Sequence, residues 1–588
     1  MSPDVGPAGG RAQRVEASAA GEGVSQWTHL PLHRVRGYEF RLVTRSTDLT
    51  SLTVTLSAEG ERGVKAQARV KGLSRTWGEF TGELALSRSA PADALYRLSV
   101  TAPRKGQFVL GRVLLYPADH LHGNDPDVIR FLRDSKLPIL RWPGGNFVSG
   151  YHWEDGVGPA DSRPTRPNPA WSGVEPNLFG TDEFITFCRD VGCEPLICLN
   201  AGDGTPEEAA RWVDYCNGSA KTKMGALRAA NGHRKPFSVR YWEIGNELSG
   251  RHQINWTTPA GYADRYREFA EAMLAVDPSL KLIACGEPPW LRRGWNEVLI
   301  GEDADLLRSV CDHILVGGHT DLATDPLGLF QDFMAFPAYC EMLYTELAGK
   351  MRAAGIAEPR VAVTELQLFA TLNPPKGDAP ARLSRENLVS PDTLAEALYD
   401  VLVYHGAVRL APLVEMVTHS ATVNHGGGLR KERERVYANP CHYGQTMFAC
   451  FNGATPVAVA LECGREKLPR VMPDSTRAKV PMEDLPVLDA VAAIGADGAL
   501  LISVVHRGLK GPVELTIDLE GVRPTGPAQV QTLAADVPWA RNRLTEPEAV
   551  VPRASTAKVS GGALTLTVPR YSLTVIRARV GLAGARSK

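Results

Sequence analysis

The stretch VRYWEIGNELSG, residues 239–250, is an apolar run that ends in an amide and a carboxylate. Short runs of this kind are typical of buried parallel strands, because both faces of such a strand are covered. In α/β folds the functional side chains lie where the parallel strands end. The stretch therefore predicts a strand that delivers Asn246 and Glu247 to the functional edge of a sheet.

The pattern recurs between about residues 125 and 435, where six more short apolar runs alternate with amphipathic segments. These runs are PILRW, PLICLN, KLIAC, HILVGG, RVAVTE and LAPLVEM. The Thr205-Pro206 and Thr258-Pro259 pairs mark two helix starts between them. Alternating strands and helices predict an α/β fold with a parallel sheet, most simply a (β/α)₈ barrel of the TIM type. An open doubly wound sheet is the alternative, but no G-x-G-x-x-G follows a first strand. Seven strands are predicted, one fewer than a closed barrel needs.

The segments on both sides of this region alternate apolar and polar residues. Residues 37–117 and 440–580 show this alternation without helical periods, which predicts two antiparallel β-sandwiches. Residues 1–24 are small and polar, and we expect a flexible tail there. The expected units are a tail (1–24), a first sandwich (25–120), a barrel (121–438) and a second sandwich (439–588).

Composition narrows the range of partners. The chain has 65 Lys and Arg against 66 Asp and Glu, so nothing attracts it to nucleic acid or to an anionic membrane. No apolar run approaches the roughly 20 residues that span a bilayer. No secretory signal is visible at the N-terminus, which favours a cytoplasmic location. The ten cysteines show no ligand spacing and are expected to be buried free thiols.

Polar residues at the strand ends are the candidate site. Asn146, Asn200, Asn246 with Glu247, His319 and Glu365 each follow an apolar run. Two glutamates at two strand ends suggest glycoside hydrolysis, in which one carboxylic acid protonates the leaving oxygen and the other carboxylate attacks the anomeric carbon. Retention of configuration needs the two groups about 5–5.5 Å apart. The acid is expected to have a raised pKa.

Two other motifs give no strong prediction of a functional site. The glycine run in NHGGGLRKERERVY lacks the context of a phosphate-binding loop and is interpreted as a loop at the rim of the barrel. His313 and His319 lie six residues apart on a strand, which is not a metal-ligand spacing.

Longer motifs carry a family resemblance. LRWPGGNFVSGYHWEDGVGP, AWSGVEPNLFGTDEFITFCRDVGCEP, WEIGNEL and VDPSLKLIACG resemble the glycoside hydrolase family fifty-one α-L-arabinofuranosidases over about residues 138–450. Residues 25–120 resemble a family-four-like carbohydrate-binding module. The resemblance implies a retaining exo-glycosidase that acts on arabinofuranosyl-containing oligosaccharides or polysaccharides. It also implies that the family's first barrel strand is absent from this sequence, so that the strands near 138–142 and 410–416 face each other across a gap.

The resemblance also implies residue roles. Glu247 is the acid/base, Glu365 the nucleophile, and Asn146, Asn246 and Trp171 contact the sugar; His319, at its strand end, is a further candidate for substrate binding. Neither a metal nor an organic cofactor is implied, and homo-oligomerisation is left open. Two alternatives stay open: another retaining glycosidase of the same clan, such as a xylosidase or glucanase, or a catalytically impaired carbohydrate-binding fragment.

Overall fold

The computed structural model describes residues 1–61, 63–373, 380–472, 480–560 and 563–582. Two antiparallel β-domains flank a unit of parallel strands and helices, as the sequence predicts.

The N-terminal domain is a β-sandwich of two antiparallel sheets. One sheet runs in the order β1-β2-β9-β4-β7 and the other in the order β3-β8-β5-β6. Its strands are β1 (Ser2–Val5), β2 (Arg11–Ala17), β3 (Gly23–Thr28), β4 (Gly37–Arg45), β5 (Ser51–Ala58), β6 (Ala66–Lys71), β7 (Gly78–Ala85), β8 (Tyr96–Thr101) and β9 (Gly106–Pro117).

The prediction of a flexible tail over residues 1–24 is wrong. Strand β2 pairs with β9, and β3 pairs with β8, so the first residues are integral to both sheets. Val15 and Ala17 are buried in the sandwich core. The alternation in RAQRVEA is a strand pattern, but its small residues give it too little apolar contrast to stand out.

The central unit is a curled parallel sheet in the order β10-β13-β14-β15-β16-β17-β18. All seven predicted strands are confirmed: β10 (Ile139–Pro143), β13 (Glu194–Leu199), β14 (Tyr241–Ile244), β15 (Lys281–Ala284), β16 (Ser309–Asp321), β17 (Arg360–Asn373) and β18 (Val414–His419). Two hairpins interrupt the pattern, formed by β11 (Arg166–Pro167) with β12 (Val174–Glu175) and by β19 (Leu429–Glu432) with β20 (Arg435–Ala438).

Helices cover the outer face of this sheet. The side chains of Thr205 and Thr258 cap the two helices whose starts the sequence marks. The helices are α1 (Pro126–Asp134), α2 (Gly145–Val148), α3 (Thr181–Val191), α4 (Pro206–Asn217), α5 (Lys223–Ala230), α6 (Pro259–Val276), α7 (Trp295–Asp303), α8 (Pro326–Ala353), α9 (Leu394–Arg409) and α10 (Pro440–Phe448).

Each of the seven strands contributes one residue to a compact cluster inside the barrel. The cluster consists of Ile139, Leu196, Tyr241, Ile283, Cys311, Ala362 and Met416. It fills the interior one layer below Arg141, Glu243 and His313, which follow two residues later on β10, β14 and β16.

The barrel does not close between β10 and β18. Within the described residues, β10 pairs only with β13 and β18 only with β17, as expected from the strand count. We call the space between Ile139–Pro143 and Val414–His419 the seam. A cavity of about 510 Å³ lies along it, lined by residues of both strands and of α9 and α10.

The C-terminal domain is antiparallel, with a main sheet in the order β21-β24-β25-β31-β28-β29-β30-β26. The predicted boundary at 438/439 falls just before α10, which packs on α9 through Phe448 and Tyr404. The strands are β21 (Thr455–Val457), β22 (Arg465–Lys467), β23 (Asp484–Pro486), β24 (Leu488–Ile494), β25 (Leu500–His506), β26 (Val513–Ile517), β27 (Val522–Pro524), β28 (Ala528–Ala534), β29 (Arg553–Ser560), β30 (Ala563–Val568), β31 (Ser572–Ala578) and β32 (Val580–Leu582).

Two further observations concern the cysteines and the helices. All ten cysteines are free thiols, and seven of them are buried. Among the helices of the described ranges, none is long and apolar enough to cross a membrane.

Candidate active site

Three strands bring the two candidate glutamates together around a histidine. Glu247 follows β14, His313 lies on β16 and Glu365 on β17. One oxygen of each carboxylate and a ring nitrogen of His313 all lie within 4.8 Å of one another. This spacing matches the short carboxylate separation of retaining glycosidases, not the separation of about 6.5–9.5 Å that inverting enzymes need.

A β-bulge turns Glu365 toward this cluster. His313 pairs with Glu365, whereas Asp312 pairs with Val363, so the register skips Thr364. In a regular strand, neighbouring residues point to opposite faces. The extra residue of the bulge allows both Thr364 and Glu365 to reach the interior, where Thr364 donates a hydrogen bond of 2.7 Å to Glu243.

The backbone at Glu247 is also unusual. Gly245 has φ +87° and Glu247 has φ +47°, a left-handed conformation that side chains other than glycine rarely adopt. Strained residues of this kind cluster at functional sites, where the surrounding structure holds them. Here Glu247 accepts hydrogen bonds from His313 at 2.9 Å and from His252 at 3.1 Å.

Arg141 of β10 is the central cation of the site. Its guanidinium hydrogen-bonds to Glu243, to Glu365 at 3.0 Å and to the side-chain oxygen of Asn246 at 2.7 Å. Because the guanidinium lies over the following turn, a Cβ at Gly144 would come within 2.4 Å of it. The glycine therefore lets the turn fold closely around the arginine.

The two candidate asparagines are held differently. Asn246 is fully buried, and its side-chain NH₂ is a buried donor without a hydrogen-bond partner among the described residues. The oxygen of Asn146 accepts from Gln253 at 2.6 Å, and Gln253 in turn accepts from Ser149. Asn246 thus has a free donor at the site, and Asn146 is oriented through its own oxygen.

Electrostatics at the site differ from the expectation of a raised acid pKa. Burial raises the pKa of Glu247, but the hydrogen bonds from His252 and His313 and the charge of His313 outweigh burial and hold that pKa well below its ordinary value. Burial lowers the pKa of His313, yet the negative charges of Glu365 and Glu247 raise it well above 6.5. The expectation is wrong because a charged histidine lies between the two glutamates.

Hydrogen bonding supports a doubly protonated His313. The Thr364 hydroxyl donates to Glu243, so its oxygen accepts from His313 Nε2 at 3.1 Å. His313 Nδ1 faces the carboxylate of Glu247, which accepts. Both ring nitrogens therefore act as donors, as in an imidazolium ion.

The remaining sequence candidates are Trp171, His319 and Asn200. Trp171 lies on the loop between β11 and β12 with 58% of its surface exposed. His319 lies six residues beyond His313 on β16, where its backbone pairs with Thr371, and its side chain falls outside the described residues. The side-chain oxygen of Asn200 accepts hydrogen bonds from the backbone N–H groups of Gly202 and Asp203.

Sequence reasoning missed Arg141, Glu243, His252, His313 and Thr364. Glu243 lies inside the barrel, where it forms an ion pair with Arg141. A charged residue in the middle of a short apolar strand, as in LRWP and YWEI, was the available signal, because such a residue needs a buried partner.

Comparisons with known proteins identify the family of this chain. A family model described as "Alpha-L-arabinofuranosidase 1 domain" matches residues 131–299, and one described as "Alpha-L-arabinofuranosidase C-terminal domain" matches residues 370–572. The chain is 30% identical to a "Probable alpha-L-arabinofuranosidase C" of Aspergillus fumigatus, over 78% of this chain and 89% of that protein.

Two further relatives are informative. The chain is 30% identical to an "Intracellular exo-alpha-(1->5)-L-arabinofuranosidase" of Streptomyces lividans, over 82% of this chain and 74% of that protein. The solved GH51 α-L-arabinofuranosidase of Thermotoga petrophila is also 30% identical, with a TM-score of 0.65 over 79% of this chain and 92% of that one. The chain therefore belongs to the glycoside hydrolase family 51 α-L-arabinofuranosidases.

Proposed function

We propose that this protein is a retaining exo-α-L-arabinofuranosidase, with Glu247 as acid/base and Glu365 as nucleophile. The observation that carries the proposal is the placement of both carboxylates within 4.8 Å of each other around His313. Family membership favours the arabinofuranosyl group as the sugar that is released, and the name of the Streptomyces relative supports exo action.

In the first step, a Glu365 oxygen attacks the anomeric carbon while the glycosidic bond breaks. Arg141 donates a hydrogen bond of 3.0 Å to this carboxylate and holds it in position. The leaving oxygen takes a proton from Glu247. Glu247 obtains that proton from His313 Nδ1 at 2.9 Å, so the pair holds one shared proton before the reaction.

In the second step, water attacks the same carbon and releases Glu365. Glu247, now a carboxylate, accepts the proton of the water. That proton restores the shared proton of Glu247 and His313, so the charge of the site is the same before and after a complete turnover.

Sugar recognition is assigned to the neighbouring amides and the rim. The unpaired NH₂ of Asn246 is suited to a ring hydroxyl, and Asn146 adds a second amide held by Gln253. The exposed indole of Trp171 offers an apolar face to the sugar or its aglycone. His319 is a further candidate on β16.

The test is release of 4-nitrophenol from 4-nitrophenyl α-L-arabinofuranoside, with the product followed by proton NMR. The α-anomer should appear first. Faster hydrolysis of the β-D-xylopyranoside, or of a β-glucan, would show that the protein is another retaining glycosidase of the clan and not an arabinofuranosidase. Sugar binding without hydrolysis of any of these substrates would favour a carbohydrate-binding protein.

Three further assignments are part of the proposal. Residues 25–120 bind carbohydrate as an accessory module, the enzyme acts in the cytoplasm, and its partners are arabinofuranosyl-containing oligosaccharides or polysaccharides. The sandwich fold of the N-terminal domain and the intracellular Streptomyces relative support the first two.

A further inference from the structure

A second cluster of ionisable side chains lies away from the two glutamates, beside the seam. It joins Asp400 of α9, His419 at the end of β18 and Cys441 in the first turn of α10. One donor atom from each residue lies within 4.8 Å of the other two. The three residues come from three different elements, so any link among them holds α9, β18 and α10 together.

The carboxylate of Asp400 lacks the partners that buried charges normally have. Asp400 is fully buried, and neither of its oxygens has a hydrogen-bond partner among the described residues. Its closest basic group is His419, with Nδ1 3.5 Å from Oδ2. No lysine or arginine of the described ranges forms an ion pair with it, in contrast to Glu243, which Arg141 holds.

A second buried carboxyl group lies one helical turn before Asp400. Glu396, also fully buried on α9, accepts the backbone N–H of Leu368 at 3.0 Å. A buried carboxylate without a cation is costly, and a bound metal ion is one way to balance it.

The histidine is oriented as metal-bound histidines are. The hydroxyl of Tyr404 contacts His419 Nε2, which leaves Nδ1 toward Asp400. A partner on the outer nitrogen fixes the ring of a ligand histidine in this way. The backbone also closes tightly on the thiol, because a Cβ at Gly427 would lie 2.5 Å from Cys441 Sγ. The glycine run of the loop after β18 thus has a packing reason.

We propose that Asp400, His419 and Cys441 bind one Zn²⁺ ion as a structural tie beside the seam. Oxygen, imidazole and thiolate donors together suit zinc, whereas magnesium and calcium prefer oxygen alone. Tetrahedral zinc holds its donors about 3.3–3.8 Å apart, so the cluster contracts slightly on binding. The thiol of Cys441 releases its proton to solvent when the Zn–S bond forms. A fourth position is left for water.

The first test measures zinc in tag-free, full-length protein that has been reconstituted with zinc and freed of excess by gel filtration. We expect about one zinc per chain by plasma mass spectrometry. Removal of the metal with a strong chelator should lower Tm by roughly 5 °C or more, and zinc should restore it. A folded wild-type chain with less than about 0.1 zinc and a Tm insensitive to chelator would overturn the proposal.

Variants assign the metal to these residues. Cys441→Val keeps a small apolar side chain in a buried position, and we expect it to fold but to lose zinc and the chelator effect. Cys463→Ser, in the C-terminal domain, is the matched control and should keep both. Glu247→Gln should also keep the zinc, and loss of zinc there would place the metal at the catalytic glutamates and refute the proposal.

Cobalt gives a readout that stability alone would not change. The wild-type chain loaded with Co²⁺ should show a thiolate-to-cobalt charge-transfer band in the near ultraviolet, and Cys441→Val should lack it. The same band in both proteins would show that Cys441 is not a ligand.

Discussion

From β13 to β17 each strand of the barrel has a hydrogen-bonded neighbour on both sides, whereas β10 and β18 each have one within the described residues. The charged network of Arg141, Glu243, Glu247, His313 and Glu365 spans the closed part and ends on β10. Along the seam, a cavity of about 510 Å³ replaces packing. Where each strand has two neighbouring strands, the buried charged side chains have partners on those strands. Where a strand lacks one neighbour, a cavity takes the place of packed side chains.

The largest expected effect is on the nucleophile. Glu365→Gln should lower kcat by about 10⁴-fold or more, because the covalent intermediate can no longer form. Glu415→Gln is the matched control, since Glu415 also pairs with an arginine, Arg308, but at the seam. Comparable losses in both variants would show that the seam controls catalysis as strongly as the closed part.

The acid role of Glu247 predicts a dependence on the leaving group. Glu247→Ala should slow hydrolysis of an unactivated arabino-oligosaccharide by about 10²–10⁴-fold, and of the 4-nitrophenyl glycoside much less, because only the former needs a proton. Steady-state kinetics on both substrates checks this. Equal loss on the two substrates would remove Glu247 as the acid.

Arginines of the two regions should differ in their effect on stability. Arg141→Met leaves the buried Glu243 without its cation and should cost about 3–5 kcal/mol of the free energy of unfolding. Arg308→Met removes a partly exposed partner of Glu415 and should cost about 1 kcal/mol or less. Urea titration of both variants measures the difference, and similar costs would contradict the contrast drawn between the regions.

Packing can be compared on a single helix. Ala397 of α9 is fully buried and faces α10, whereas Ala407 of the same helix lines the seam cavity. Ala397→Leu should cost about 1–3 kcal/mol through overpacking, and Ala407→Leu should be neutral or stabilising because it fills space. Thermal unfolding of the two variants measures this difference. Equal destabilisation of both would show that the seam has no space to fill.

The smallest expected effect is on the pH dependence of kcat/KM. Because the pKa of His313 is raised, the pair with Glu247 keeps its shared proton above pH 6.5 and loses it only as pH rises through that raised pKa. In His313→Asn the carboxyl of Glu247 holds the proton alone, so the alkaline limb of kcat/KM should move down by about one pH unit. His252→Asn, which removes an exposed partner of Glu247, should move it less.

The sequence predicted the seven strands because buried parallel strands are continuous apolar runs, and it predicted the two glutamates because they end such runs. It did not predict the role of His313, which begins the apolar run HILVGG instead of ending it. Arg141 was hidden because it lies inside the run PILRW, although its charge needed a partner. The bulge at Thr364 depends on pairing between strands, which no single-strand pattern contains.

That bulge makes the active site sensitive to chain length as well as to side-chain identity. Deleting one residue of the Thr364-Glu365 pair, by loss of a single codon, would restore regular alternation in β17. The apolar residues on either side would keep suitable partners, so the fold could persist while the carboxylate turned toward the helices or disappeared. Among relatives and engineered variants, a one-residue gap here would therefore mark an inactive protein even where every named catalytic residue type is still found nearby in the sequence.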